Sequence, residues 1–226
     1  MAQTIMGLDL GARSVRAVLL ESAYRGYEVK AHAEAALEPA AEGGPPLRER
    51  QAAALARLLA DQGWKVDACV VAMPGAAVAA HVVTLPFTDP RRIEQTIGFE
   101  VEGQIPYELA EAAWDWQPLG ERAGAADLWV GVAPRAELTA LLALLAQAGL
   151  DPQVVAPAAP ALATLLAPGV LEAPGAGEGA PPAPPAGGAP VEAVLDLGEE
   201  RTLLCLAAGG RLEAARTVAL GAAGLA

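Results

Sequence analysis

Cysteine is nearly missing from this sequence. The only two, Cys69 and Cys205, sit singly inside apolar runs, so neither a disulfide framework nor a zinc-type spacing is available. The two histidines, His32 and His81, lie in strand-like segments without Cys or carboxylate partners at ligand spacing, and both read as structural. Aromatic residues make up 4% of the chain, so its 54% hydrophobic content rests on Ala, Leu and Val, which pack as thin layers of helix and sheet. Positive charge is scarce as well: 15 Lys and Arg face 27 Asp and Glu, for a net charge of −12. Such a balance repels phosphate backbones and anionic lipid, which argues against a nucleic-acid module or a polybasic membrane binder. The opening residues carry no basic, apolar leader, and a cytoplasmic location is expected. The uncharged stretches 68–88 and 152–171 are about as long as a membrane span, but Pro74-Gly75, Pro86, Pro157, Pro160 and Pro168 cut them, so both read as buried segments.

What the chain does contain is a regular succession of short apolar runs. Thr4–Leu10, Val15–Glu21 and Tyr27–Leu37 predict a three-strand meander with turns at Gly11–Ser14 and Arg25-Gly26. An Ala- and Leu-rich helix is expected over Leu47–Asp61, closing at Gly63, followed by strands Val66–Met73 and Ala77–Thr84. Asp89-Pro90 supplies an N-cap acceptor and a Pro at the first helical position, with Ile93, Ile97 and Val101 at four-residue steps until Pro106. Strands at Ala112–Leu119 and Asp127–Ala133 precede a helix carried by Leu138, Leu141, Leu142 and Leu145, and a short helix is expected over Ala158–Leu166. Trp114 and Trp116 fall on one face of their strand and read as packing beneath the preceding helix, while Arg91, Arg92, Glu94, Glu100 and Glu102 read as its solvated face. The stretch 172–190, almost wholly Ala, Pro and Gly, has the composition of a tether. A second apolar trio, Val191–Leu197, Thr202–Ala207 and Leu212–Leu220, follows it.

The two trios open alike: Leu8-Asp9-Leu10-Gly11 in the first, Leu195-Asp196-Leu197-Gly198 in the second. A duplicated meander with a repeated Asp-Leu-Gly turn predicts two related lobes facing one another across a cleft. A strand-end Asp suits a hydrated divalent metal, and the following Gly lets backbone N–H groups approach anionic oxygens.

Gly7-Leu-Asp-Leu-Gly-Ala-Arg-Ser-Val-Arg-Ala-Val resembles the first phosphate motif of the actin, hexokinase and Hsp70 superfamily, and Val194-Leu-Asp-Leu-Gly-Glu-Glu-Arg-Thr-Leu resembles the second. The segment Thr84–Tyr107, followed by Ala113-Trp-Asp-Trp-Gln-Pro-Leu, narrows the likeness to the PilM family, actin-like assembly proteins of type IV pili, and to the related cytoplasmic GspL portion of type II secretion. The resemblance implies an α/β fold: an actin-like (ribonuclease H-like) lobe with a mixed sheet over residues 1–170, an inserted α+β subdomain over about 77–133, a linker at 171–190, and the opening strands of a second, incomplete lobe at 191–226. It also implies a cytoplasmic protein at the inner face of the bacterial inner membrane, linking membrane partners to an assembly ATPase, with a PilN-like peptide held between the first subdomain and the insert. A homo-oligomer is compatible with it.

Carried over by resemblance, Asp9 and Asp196 are the metal-water or phosphate-turn aspartates, Gly11 and Gly198 the close-approach glycines, Ser14 and Thr202 hydroxyl donors, and Arg16 the phosphate-contacting cation. The implied cofactor is ATP with Mg, weakened or lost here. Ala12 stands where Ser or Thr is usual, a loss of about 0.5–1.5 kcal/mol per hydrogen bond. Glu199 and Glu200 add like charge beside the second turn, opposing a phosphate by up to roughly 4 kcal/mol at 4 Å and an effective dielectric of about 20. No general base is recognisable after that turn, so no catalytic residue and no resident metal ligand is assigned. The expected function is therefore a partner-binding scaffold; the alternative is an ATPase or small-molecule kinase of the same superfamily.

Overall fold

The computed structural model describes residues 3–23, 26–167, 170 and 190–225. The tether expected at 171–190 lies, apart from Pro190, outside the described residues. Strands β1 (Thr4–Leu10), β2 (Ser14–Ala23) and β3 (Gly26–Ala36) form the expected meander, and β1 then pairs in parallel with β4 (Ala68–Met73). A short strand not anticipated from the sequence, β8 (Val154–Pro157), adds in parallel to β4 and completes a mixed five-stranded sheet of order β3-β2-β1-β4-β8.

Alternation decides which face of this sheet is covered. Met6, Leu8 and Leu10 of β1, Val15 and Ala17 of β2, and Cys69, Val71 and Met73 of β4 are buried in one core with Leu55 and Leu58 of α1 (Leu47–Gln62) and Leu141, Leu144 and Leu145 of α3 (Arg135–Gln147). Helix α1 stops where Gly63 turns left-handed and returns its N–H to the carbonyl of Leu59. Asp67 ties the starts of β1 and β4 together by accepting from the backbone N–H and hydroxyl of Thr4.

Between β4 and α3 the chain makes a separate unit. A 3-10 turn at Gly75–Ala77 delays the next strand, so β5 runs Ala79–Leu85 rather than from Ala77. Helix α2 (Pro90–Glu102) starts as expected, the Asp89 carboxylate accepting from the N–H of Arg92. Strands β6 (Ala112–Arg122) and β7 (Ala125–Pro134) join β5 in an antiparallel sheet of order β5-β7-β6. Ile93, Ile97 and Val101 of α2 seal one face of it over Val83, Leu85, Leu128, Val130 and Val132, with Trp114 and Trp116 packed at the margin. Its other face presents Leu119 and Trp129.

Strands β9 (Val191–Leu197), β10 (Thr202–Ala208) and β11 (Arg211–Val218) form a third sheet, order β11-β10-β9. Cys205, Ala207 and Leu212 of this sheet share a core with Ala159 and Ala163 of α4 (Ala158–Leu165) and with Leu119 and Trp129. The inserted unit thus packs directly against the C-terminal sheet. The two copies of the meander bury opposite faces: Leu8 and Leu10 are 4% and 5% exposed under α1 and α3, whereas their counterparts Leu195 and Leu197 are 67% and 55% exposed.

Candidate functional site

The repeated Asp-Leu-Gly segments build the same turn twice. Asp9 pairs with Arg16 across the first hairpin and Asp196 with Leu203 across the second, an identical register. The N–H of Gly11 donates to the carbonyl of Ser14 at 3.0 Å, and that of Gly198 to the carbonyl of Arg201 at 2.9 Å. A Cβ at either glycine would lie 2.9 Å from that same carbonyl oxygen, closer than side chains approach, so both turns call for glycine.

These turns meet. Arg13 Nη1 of the first lies 3.8 Å from Glu199 Oε2 of the second. The Asp9 carboxyl is pushed above the usual carboxylate range, chiefly because the surrounding protein shields it from water; Arg16 opposes the shift and the negative charge of Asp196 adds to it. Asp9 as a residue is exposed, so the shielding is partial and the shift bounded. The charge of Asp196 thus acts on Asp9 from across the gap that Arg13 and Glu199 span.

The remaining residues of the expected site point elsewhere. The Ser14 hydroxyl, buried at 4% exposure, donates to Glu34 Oε1, and Arg16 Nε donates to the same oxygen at 3.1 Å. Both interactions hold the Glu34 carboxyl below its ordinary range, the Ser14 hydrogen bond most strongly. Thr202 Oγ1 donates to the carbonyl of Leu220 at 2.6 Å, fastening the strand start to the segment that closes beneath the second turn. There the N–H groups of Ala222 and Ala223 reach the carbonyls of Gly198 and Glu199 at 2.8 and 2.9 Å. The two turns are therefore joined at Arg13 and Glu199, and the side chains of Ser14, Arg16 and Thr202 are engaged with Glu34 and Leu220.

Two supporting residues escaped the sequence reading. Gln51, 6% exposed on α1, donates from Nε2 to the carbonyls of Leu10 and Gly11 at 2.9 and 3.0 Å and so pins the first turn from below. Its signal is a lone amide on the buried stripe Gln51, Ala54, Leu55, Leu58. Glu34 has no such signal, since nothing along β3 distinguishes it from Glu28.

From the second turn, Arg201 lines a cavity of about 440 Å³ between the C-terminal sheet and the insert, shared with Arg216, Thr217, Leu203, Trp129 and the start of α4. A second opening, a groove of about 530 Å³, runs between the insert and the first lobe. Its walls are mostly apolar, from Val78, Ile105, Pro106, Pro134 and the ring of Tyr107, with His81, Gln104, Glu137 and the Tyr107 hydroxyl as its polar groups. Arg48 holds Glu137 at the rim, and Arg135 spans the seam to the carbonyl of Ala112 at 2.7 Å. Among the described residues no group of three or more His, Cys, Asp and Glu is placed to hold a metal ion, and no helix is long and apolar enough to cross a membrane.

Comparison with known proteins agrees with this geometry. A family model described as type IV pilus assembly protein PilM matches residues 7–178. A solved structure of a PilM–PilN type IV pilus biogenesis complex superposes with a TM-score of 0.74 at 24% identity, covering 98% of this chain and 62% of that one. The chain thus spans less than two thirds of that relative. The cytoplasmic domain of EpsL, an inner-membrane component of the type II secretion system of Vibrio cholerae, superposes at 0.55 and 17% identity, covering 96% of this chain and 71% of that one. The fold is the mixed α/β, actin-like one that the resemblance implied.

Proposed function

Because the chain belongs to the family of the type IV pilus assembly protein PilM, matched over residues 7–178, we propose that it is a non-catalytic scaffold of a pilus or type II secretion platform. In this reading it works at the cytoplasmic face of the inner membrane and holds an extended segment of a PilN-like partner. The observation that carries the proposal is the groove between insert and first lobe, lined mostly by apolar groups and polar only at His81, Gln104, Glu137 and the Tyr107 hydroxyl. Such a lining suits a peptide that contributes apolar side chains and a few fixed hydrogen bonds. The assembly ATPase is the partner expected on the other side of the scaffold.

A nucleotide with magnesium, implied by the fold family, is poorly matched by the side chains present. Ser14 and Arg16 are engaged with Glu34 and Thr202 with Leu220, while Arg13 lies in loose ion-pair reach of Glu199. The second turn itself carries three carboxylates, Asp196, Glu199 and Glu200, of which only Glu199 has Arg13 beside it. Arg201 is the cation of the second turn that lines the cavity. Nucleotide affinity is accordingly proposed to be weak or lost.

Calorimetry with the N-terminal peptide of the PilN-type protein from the same organism tests the reading, alongside an ATP turnover assay. Saturable binding that Tyr107→Ala weakens about tenfold or more, together with no turnover, is the expected result. Absence of peptide binding, or turnover that Asp9→Asn abolishes, overturns it in favour of an enzyme.

A further inference from the structure

Helix α2 seals the insert with one face and leaves the opposite face bare. Ile93, Ile97 and Val101 are buried on the sheet side, whereas Arg91, Arg92, Gln95, Phe99 and Glu102 are all exposed. With 3.6 residues per turn, these five share an arc of about 100° opposite the buried stripe. Phe99 is 76% exposed, the highest value among the exposed large apolar side chains described. It is one of only two phenylalanines in an aromatic-poor chain. A lone exposed apolar residue is ordinary; the charge arranged around this one sets it apart.

Arg91 and Arg92 stand at the N-terminal end of the bare face and Glu102 at the C-terminal end. That order runs against the helix dipole, which favours acids in the first turn and bases in the last. None of the ion pairs among the described residues uses Arg91, Arg92 or Glu102, so the cost is not offset by a salt bridge within the chain. The order is, however, complementary to itself. The midpoint of Arg91 and Glu102 and the midpoint of Gln95 and Phe99 both fall at residues 96–97. One two-fold axis there pairs both sets across two antiparallel copies of the helix, whereas a parallel arrangement would set Arg against Arg.

We propose that the outer face of α2 is a self-contact, through which two copies of this chain meet with their α2 helices antiparallel. Phe99 of each copy packs against the partner's Gln95, and Arg91 of each faces the partner's Glu102. Because the same patch is used on both copies, the contact closes at a pair and does not propagate. A single helix pair is smaller than a permanent interface, so the association is weak and depends on concentration. None of these residues lines the groove, and the contact therefore stands apart from the partner proposed there.

Sedimentation equilibrium of the full chain at low ionic strength, at concentrations up to about 1 mM, tests this. A reversible monomer–dimer equilibrium is expected, weakened about tenfold or more by Phe99→Ala and weakened also by added salt. Arg91→Glu and Glu102→Arg should each weaken it about as much, since like charges then meet twice. Mixed in equal amounts, those two variants should associate with each other, because one carries acid at both ends of the face and the other base. All three substitutions lie on the surface, and melting close to that of the parent shows that each variant folds. A monomer at every concentration overturns the self-contact and leaves the face to a different protein. Association that Phe99→Ala leaves intact, or a mixture that does not recover what the single charge variants lose, puts the contact elsewhere and overturns it equally.

Discussion

Arg13 and Glu199, almost the whole described chain apart in sequence, face each other at 3.8 Å between the two Asp-Leu-Gly turns. The pair is well exposed on the Arg13 side and adds little stability of its own. Its significance is positional: it marks where two copies of one hairpin close on each other, and it neutralises one of the two carboxylates that follow Gly198.

Because both turns need glycine for the same reason, Gly11→Ala and Gly198→Ala should each be destabilising. The added methyl meets a backbone carbonyl, which cannot swing aside, so a cost of about 1–3 kcal/mol is expected for each. Chemical unfolding of the two variants checks this; a neutral effect at either position contradicts the shared geometry.

Gln51 should matter more than an ordinary helix residue. Gln51→Leu keeps the packing volume but leaves the carbonyls of Leu10 and Gly11 without their donor, at a cost of about 1–3 kcal/mol. Exchange of amides in the first turn should accelerate in the same variant, with the second turn unaffected.

The repeat predicts unequal responses to equal changes. Leu8→Ala empties a packed position and should cost about 2–5 kcal/mol. Leu195→Ala, at the corresponding place on an exposed strand face, should change unfolding free energy by about 0.5 kcal/mol or less. Denaturant midpoints of the two variants, taken side by side, decide it.

Asp9 makes a prediction about pH. Its pKa is raised in the folded chain, so protonation favours the folded state, and stability is lost as pH rises through that raised value. Asp9→Asn should therefore melt higher than the parent at neutral pH, with the gap closing in acid below the ordinary carboxylate range. Glu34, Asp67 and Asp127 are shifted the opposite way by their hydrogen bonds, to Ser14, Thr4 and Thr84 respectively, so their contribution is complete above that range and fades as pH falls through their lowered values. The difference between variant and parent isolates Asp9 from that common acid loss.

Much of this architecture was legible in the sequence because the features that specify it are local. The Asp-Leu-Gly repeat, the Asp89-Pro90 cap and the leucine spacing of α3 each announce an element without reference to anything distant. Strand β8 did not announce itself: the four residues Val154–Pro157 carry no periodicity, and only the free edge of β4 makes them a strand. The directions of Ser14, Arg16 and Thr202 were hidden for a similar reason. Each is set by a cross-strand or backbone acceptor, Glu34 or Leu220, whose position depends on the folded pairing. The exposure of Leu195 and Leu197 was likewise invisible, since their pattern matches that of the buried Leu8 and Leu10.

Photo-crosslinking tests the central claim most directly, using an N-terminal peptide of the PilN-type protein that bears a photoreactive residue and mapping the attachment by mass spectrometry. The account predicts adducts at residues 76–79 and 104–107, on the two walls of the groove. Adducts concentrated instead at Arg201, Arg216 and Thr217, or along the open edge of β3, would contradict it.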